Sequence, residues 1–554
     1  MNQLYYGDNL NVLRDRTRFP NEFVDLIYLD PPFNSKRDYN LLFKSPKGQE
    51  SEAQIEAFKD SWSWGDQAER ELDDLIQRAT SDVALVMNAF VSFLGRNDMM
   101  AYLVMMTNRL LEMHRVLKPT GSLYLHCDPS ASHYLKIVLD AVFGKENFKN
   151  EIIWKRTSAH SGSKRWGPVH DSILFVSKSN EYVWNNVFQT YDDEYVESFY
   201  RYNDAKGRFR VGDLTGAGTR KGESGQDWRG INPTQNGRHW AVPNKILIDR
   251  FGETSSTWSV QEKLDVLDKE GLIFWPAKGK MPGFKRYLNL AAGVSIVDVI
   301  TDVDVIGAQA QERLGYPTQK PLALLERIVS ASSTEGGVVL DPFCGCGTAV
   351  HAAQRLKRKW IGIDITCLAI SLIEKRLKDA FGARCKFEVQ GTPKDLESAR
   401  DLAVRDKYQF QWWAVSLVGA KPFQGKKKGA DTGIDGLKFF YDLEGDAKKI
   451  VISVKGGTLK PDDIRALNHV REREKAEIGI LVSLHEPTPK MRADAASAGI
   501  YAGGKKQFPR VQLLTIDGLL SGKERAEHPD YVPDVNFKKA KREPEEASES
   551  DLFE

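Results

Sequence analysis

A strand, a glycine turn and a helix in immediate succession constrain this chain more than any other stretch. Gly337-Val-Val-Leu340 is apolar and strand-like, Asp341-Pro-Phe-Cys-Gly-Cys-Gly-Thr348 follows, and Ala349 to Arg358 reads as a helix. Open α/β sheets build ligand crevices this way, at the carboxyl end of a strand. Gly345 and Gly347 have no Cβ, so the backbone can turn sharply and approach a ligand closely. The helix that follows offers its first N–H groups to that ligand. Asp364 closes the next apolar run, Trp360 to Ile363. An acidic residue at a strand end about twenty positions downstream is placed to grip a ribose hydroxyl pair. A ribose-bearing cofactor is expected, and the turn alone does not choose which.

The chain has 554 residues, too many for one core, so two or three domains are expected. Lys plus Arg number 78 against 76 for Asp plus Glu, so a nucleic-acid surface would have to be a local patch. The five cysteines (127, 344, 346, 367 and 385) are an odd count, which points to a reduced, cytoplasmic setting. Cys344 and Cys346 have no second pair or His at ligand spacing and read as small residues flanking the glycines. No apolar run approaches membrane length, and the first ten residues carry no secretory pattern, so no membrane partner is expected.

Along the chain, the apolar strand Phe23 to Leu29 ends in Asp30-Pro31-Pro32-Phe33. Two prolines there stop strand pairing and stiffen the backbone. That is a strand-ending turn on one reading. On the other, a carboxylate and a proline-fixed carbonyl hold an exocyclic amine, and Phe33 stacks on its ring. Both acceptors would leave the amine nitrogen's lone pair available for attack. Residues 101–117 read as an amphipathic helix and Ser122 to His126 as a buried strand, with His126 and Asp128 structural. Periodicity then weakens over 151–310. Arg208, Arg210, Arg220 and Lys221 sit there in a basic, glycine-rich stretch, equally suited to phosphate and base-edge contact or to a solvated surface.

Taken together, Asp30 to Phe33 and Asp341 to Thr348 make the chain resemble the amino-group DNA methyltransferases that use S-adenosylmethionine. The catalytic motif comes first, the variable region second and the cofactor motif last, an order that resembles their β group. Gly7-Asp8-Asn9 and Tyr316-Pro-Thr-Gln-Lys-Pro321 resemble further motifs of that group. The resemblance covers roughly residues 1–395. It implies a Rossmann-like α/β sheet made of a catalytic half (1–150) and a cofactor half (311–400), with a target-recognition region (151–310) inserted. Asp30 and the Pro31 carbonyl, stiffened by Pro32, would hold the target amine, with Phe33 against the extruded base. Gly345, Gly347 and the backbone at Phe343 would cradle the methionine part, with Asp341 and Thr348 in the same motif. Asp364 would take the ribose, Asp8 the adenine, and Lys320 would lie near the methionine carboxylate. The partner implied is double-stranded DNA whose target base is flipped out. The leading Asp favours adenine N6, with cytosine N4 as the alternative. Transfer would be a direct displacement that needs no metal. A restriction-modification setting leaves room for a homodimer and for a restriction-system partner protein. A methyltransferase of RNA or protein amides and a non-catalytic DNA-binding protein are the competing classes.

A second, smaller α/β pattern occupies 401–525. Asp435, at the start of one hairpin strand, and Lys455, at the end of the next, resemble Mrr-type restriction endonucleases of the PD-(D/E)xK superfamily. The resemblance implies a magnesium ion on Asp435 and a Lys455 that orients water. Ser453 stands where Glu or Gln is usual, and a hydroxyl is a poorer cation ligand. A magnesium-dependent DNA-cleaving domain and a non-cleaving DNA-binding module both stay open. Residues 526–554 are charged and apolar-poor, and read as a disordered tail.

Overall fold

The computed structural model describes residues 2–32, 64–157, 164, 166–277, 281–291, 293–307, 310–314, 316, 318–423, 433–442, 446–503, 506–529 and 540–544, and the backbone pairing of Arg37–Lys44 with Glu50–Asp60. Phe33 lies outside the described residues. A central sheet draws strands from both ends of the first 390 residues: β1 (Asn2–Tyr6), β2 (Val24–Leu29), β3 (Leu117–Cys127), β4 (Phe148–Lys155), β5 (His170–Ser177), β6 (Val299–Ile300), β7 (Val338–Asp341), β8 (Lys359–Asp364) and β9 (Phe387–Gln390). The nine run in the order β6-β4-β5-β3-β2-β7-β8-β1-β9. From β3 to β9 every neighbouring pair is parallel, whereas β5 is antiparallel to both β3 and β4. Strands covered on both faces need apolar side chains on both, which is why β2 reads as a continuous apolar run broken only by Asp25.

The register fixes the position of the crevice. Ile27 lies opposite Leu340, Gly362 opposite Asp341, and Tyr6 opposite Asp364. The carboxyl ends of β1, β2, β7 and β8 therefore share one edge. The chain leaves β2 toward β3 and leaves β7 toward β8, in opposite directions, so a topological switch point lies between them. Helices α1 (Asn9–Arg14), α2 (Asp98–Val116), α3 (Thr348–Arg355) and α4 (Cys367–Phe381) cover the sheet. No helix among the described residues is long and apolar enough to cross a membrane.

Two boundaries differ from expectation. The separate unit of the variable region spans 187–296, not 151–310, because β4 and β5 belong to the central sheet. The sequence hides this: Lys149, Asn150 and Glu151 break the apolar pattern of β4 near the sheet's edge. The unit has its own four-stranded antiparallel sheet, and a core that includes Phe209, Trp228, Trp240 and Phe284. The tail also departs from expectation, since residues 540–544 are packed. Ala540 is buried, the Glu543 N–H donates to the Ala380 carbonyl at 2.9 Å, and its carboxylate pairs with His351 at 3.0 Å and Arg355 at 3.3 Å. Composition marks this stretch as solvated because it cannot register a specific ion-pair partner.

The C-terminal region forms a five-stranded sheet in the order of the chain: β10 (Lys421–Pro422), β11 (Gly436–Tyr441), β12 (Ala447–Lys455), β13 (Ile478–Ser483) and β14 (Val511–Thr515). Helix α5 (Lys407–Leu417) leads into it and α6 (Pro461–Arg473) packs on it. It lies in the same compact unit as the central sheet.

Asp25 is the one acidic residue inside β2, and it clamps three strands. Its carboxylate accepts the Val338 N–H at 2.8 Å and the Lys118 ammonium at 2.8 Å on both oxygens. Asp25→Ala removes both partners and leaves a strand N–H unsatisfied, so thermal unfolding should show a loss on the order of 1–3 kcal/mol. An unchanged melting temperature would contradict this role.

Candidate active site

One cavity of about 640 Å³ opens at the carboxyl edge of the sheet. Asp30 and Pro32 after β2, Pro342 to Cys346 after β7, Asp364 to Thr366 after β8 and Gly7 to Asn9 after β1 all line it. The sheet order thus brings together the two motifs that lie some three hundred residues apart in the chain, Asp30-Pro31-Pro32 and the glycine turn.

The turn is shaped by left-handed glycines. Gly345 has φ +48°, and a Cβ there would lie 3.2 Å from the Tyr316 ring. Gly347 has φ +74°, and its Cβ would meet Ile373 at 2.8 Å. Gly347 is also the N-cap of α3, so the first N–H groups of that helix face the turn. Arg376, buried on α4, braces the turn by donating to the Cys346 carbonyl at 3.0 Å and to Thr348 Oγ1 at 3.1 Å. Cys344 and Cys346 are buried, and burial pushes both thiols up.

Asp8, Asp30, Asp341, Asp364 and Asp406 line the cavity, and each is differently placed. Asp341 is buried beneath the turn and accepts the Phe343 N–H at 3.1 Å. Burial, with Asp30 and Asp364 nearby, holds its carboxyl well above the usual carboxylate range. Asp364 accepts the Gly345 N–H at 2.9 Å on one oxygen, and the Thr366 N–H at 2.9 Å and hydroxyl at 2.8 Å on the other. Its pKa is nevertheless raised to about 6, because burial outweighs those hydrogen bonds. Asp30 pairs through Oδ2 with the Lys320 ammonium, both side chains being largely buried. Lys320, expected at the methionine carboxylate, is thus engaged at the catalytic motif.

Asp8, expected at adenine, is engaged too. Its Oδ1 caps α1 through the N–H groups of Leu10 and Asn11, and its Oδ2 pairs with Arg109 at 2.6 Å. Arg109 also donates to Asn9 Oδ1 at 2.6 Å, and Asn9 donates to the Pro342 carbonyl at 2.7 Å. This network ties the β1 loop to the β7 loop. Sequence reading named Asn9 only as part of a motif and missed Arg109, whose one signal is a charge soon after the apolar run Tyr102 to Met106.

Beneath Asp30, Tyr28 lines the cavity and its hydroxyl lies 3.0 Å from His126 Nδ1. His126 Nε2 lies 3.1 Å from Asp171, which also pairs with Arg156 at 3.0 Å. Burial and the Lys320 charge hold His126 below the usual imidazole range. A neutral ring beside a carboxylate carries its proton on Nε2, so Nδ1 accepts from Tyr28. The chain of bonds pins β2, β3 and β5 together.

The nuclease-like motif gives a different picture. Asp435 accepts the Val454 N–H at 2.6 Å and lies 3.4 Å from the Ser453 hydroxyl, while Lys455 pairs with Asp463 at 3.2 Å. Among the described residues no three His, Cys, Asp or Glu side chains converge to hold a metal ion. One carboxylate, one hydroxyl and a lysine already paired give no support to the expected magnesium on Asp435. In the 187–296 unit, Arg208 donates to the carbonyls of Tyr200 at 2.5 Å and Val196 at 3.2 Å, and Arg210 packs over the Tyr200 ring at 5.9 Å. Arg220 and Lys221 are exposed.

Comparison with known proteins agrees with this geometry. Residues 24–375 match the profile of the N6_N4_Mtase family, DNA methylase. The chain belongs to this family. Among related DNA methylases, the type II methyltransferase M.EcaI of Enterobacter cloacae is 35% identical over 277 residues, covering 50% of this chain and 57% of its own length. The StyLTI Mod subunit, a type III restriction-modification enzyme of Salmonella typhimurium, is 26% identical over 64% of this chain and 50% of its own. The DNA adenine methyltransferase YhdJ of Escherichia coli K12 is 25% identical over 68% of this chain and 82% of its own. The chain thus spans only about half the length of the first two relatives. Residues 410–521 match a different profile, NACHT-associated inactive Restriction Endonuclease 1.

The half-buried Asp364 gives the cavity a pH signature. Its folded pKa, raised from 3.8 to about 6, adds stability that is present below the ordinary value and lost as pH rises through about 6. A ligand whose hydroxyls donate to Asp364 has the opposite preference, for the ionised form. Calorimetric titration of a ribose-bearing ligand should show affinity rising with pH through about 6 and then levelling, a dependence lost in Asp364→Asn. A flat profile in the native protein would remove Asp364 from the contact.

Proposed function

We propose that the chain is an S-adenosylmethionine-dependent DNA methyltransferase that methylates the exocyclic amine of a flipped base, adenine N6 in preference to cytosine N4, within a restriction-modification system. The observation that carries this reading is the single cavity joining the Asp30-Pro31-Pro32 edge to the left-handed glycine turn. Its electrostatics favour a cationic cofactor. Its two basic side chains, Arg109 and Lys320, are each paired with a carboxylate, Asp8 and Asp30, and Asp364 and Asp406 line it besides. A pyrophosphate would lack a cation there, whereas a sulfonium with an α-ammonium gains from the acidic wall.

The residues of the chain fit such a cofactor. Gly345, Gly347 and the backbone at Phe343 give close access for its methionine part, with Asp341 and Thr348 beside them, and Asp364 faces the ribose. S-adenosylmethionine supplies a methyl group activated by its sulfonium. Asp30 and the Pro31 carbonyl then do the positioning. Lys320 fixes Asp30 Oδ2, so Oδ1 and the Pro31 carbonyl accept the two N–H groups of the target amine. Held this way, the nitrogen turns its lone pair toward the cofactor. Asp30 Oδ1 is also the atom placed to take the surplus proton after transfer. Phe33 keeps its proposed role against the base.

The leading Asp30 and the likeness to a protein named as an adenine methyltransferase support adenine over cytosine. The type II and type III relatives support the restriction-modification setting and a partner protein from such a system. Duplex DNA is the substrate, with the exposed Arg220 and Lys221 as phosphate contacts. Arg208 is less available because its guanidinium already holds two carbonyls. For the C-terminal domain we favour the non-cleaving reading, on the strength of Ser453, the Lys455–Asp463 pair and the inactive family that its sequence matches.

Asp30→Ala should lower methyl transfer to duplex DNA by at least roughly a hundredfold while calorimetric binding of S-adenosylmethionine persists. Transfer at the native rate would overturn the assignment. Mapping modified bases in DNA from a methylation-free host that expresses the protein separates adenine from cytosine. Purified protein with magnesium should leave methylated and unmethylated plasmid uncut. Nicking that Lys455→Ala abolishes would restore the nuclease reading.

A further inference from the structure

The cavity has a wall that the methylase fold does not supply. Asp406, Tyr408, Gln409 and Trp412 line it together with Asp364 and Thr366, and all four come from the start of α5, the helix leading into the C-terminal domain. Residues from 410 onward fall in the segment that matches the inactive endonuclease family. Tyr408 and Trp412 are four apart, and Gln409 and Trp412 three apart, so they share one helical face. The opposite face anchors the helix in its own domain. Phe410 is fully buried and packs against Trp413, and a Cβ on Gly456, next to Lys455, would lie 3.0 Å from the Phe410 ring. One helix therefore touches the former nuclease motif on one side and the cofactor cavity on the other.

The location identifies which part of the cofactor this wall meets. Gln409 Oε1 lies 3.4 Å from the Tyr6 hydroxyl at the end of β1, and 3.5 Å from the Cys367 N–H that opens α4 just after β8. In the sheet order β2-β7-β8-β1, this is the end remote from Asp30. A ligand with its methyl group at Asp30 and its ribose at Asp364 must project its base toward β1 and α5. Asp8, the residue expected there, lines the cavity as well, its oxygens also held by the α1 cap and by Arg109. Tyr408, by contrast, is 64% exposed even though it lines a cavity, with only its backbone held by the Asp406 cap. Trp412 is partly buried against the main core and also lines the cavity.

We propose that the C-terminal domain completes the cofactor site: Tyr408 and Trp412 of α5 form an aromatic wall against the adenine of S-adenosylmethionine. The inference rests on the methyltransferase reading above and adds to it a binding surface from a domain whose own catalytic motif has closed. A flat base gains from an aromatic face whatever its hydrogen-bonding edge, so a face on a rigid helix suffices. It follows that cofactor affinity depends on how α5 is seated in the C-terminal domain.

The test uses the full chain and compares wild type with Tyr408→Ala, Tyr408→Phe and Trp412→Phe. Calorimetric titration of S-adenosylmethionine and of adenosine should show both ligands bound roughly tenfold more weakly by Tyr408→Ala, with Tyr408→Phe close to wild type. Tyr408 is exposed, so its variants keep the fold, which an unchanged melting temperature verifies. Tryptophan fluorescence should be quenched by adenosine in wild type, and less so in Trp412→Phe. In methylation assays KM for the cofactor should rise in Tyr408→Ala while KM for DNA stays constant. Native affinity of Tyr408→Ala for both ligands, with undiminished quenching in Trp412→Phe, overturns the aromatic wall and leaves the methyltransferase reading standing. Failure of the wild type to bind S-adenosylmethionine at all overturns both.

Discussion

A single half-buried residue, Asp364, holds most of the cavity rim in place. Its two carboxylate oxygens take the Gly345 N–H and the N–H and hydroxyl of Thr366, and its main-chain oxygen takes the Gly7 N–H at 2.9 Å. The loops after β7, β8 and β1 are therefore fixed to one another before any ligand arrives. Burying a carboxylate opposes this arrangement, and its pKa near 6 reflects the strain of keeping it ionised. A ligand that offers donors to the same group relieves that strain, so binding and loop geometry are coupled through one side chain.

The fourth loop is tied in by other means. Asp30 after β2 reaches Lys320, which precedes the helix Leu322–Ser332, and Tyr28 below it is held by His126. The rim thus has a cofactor side organised by Asp364 and an amine side organised by Lys320, separated by the switch point between β2 and β7. That division matches the proposed chemistry, in which one side binds the methyl donor and the other positions the acceptor nitrogen.

Among the described residues of the C-terminal domain, no cluster of acidic side chains gathers around Asp435. Lys455 and Asp435 have become partners of their own domain, to Asp463 and to the Val454 N–H. What the domain offers instead is a helix, α5, with one face in its own core and the other on the methylase cavity. A domain that shares a compact unit with the central sheet can act on the cavity through such packing.

The sequence by itself determined the local parts of this protein. Glycines at 345 and 347, an aspartate ending the next strand, and prolines after Asp30 each impose a backbone geometry that depends on near neighbours alone. Strand–turn–helix order and the α/β class follow from the same short-range signals. Only the tertiary structure decided which of these parts meet and what each side chain is left free to do. Asp8 and Lys320, expected at a ligand, line the cavity and are also engaged by Arg109 and Asp30, partners about 100 and 290 positions away. Residues 540–544 looked solvated and are held by His351, Arg355 and Arg384. Tyr408 and Trp412 gave no signal, because an aromatic on an amphipathic helix reads as packing until the fold shows which cavity it lines. Backbone conformation is set by steric limits within a few residues, whereas ion pairs and cavity walls are set by where distant strands place their ends.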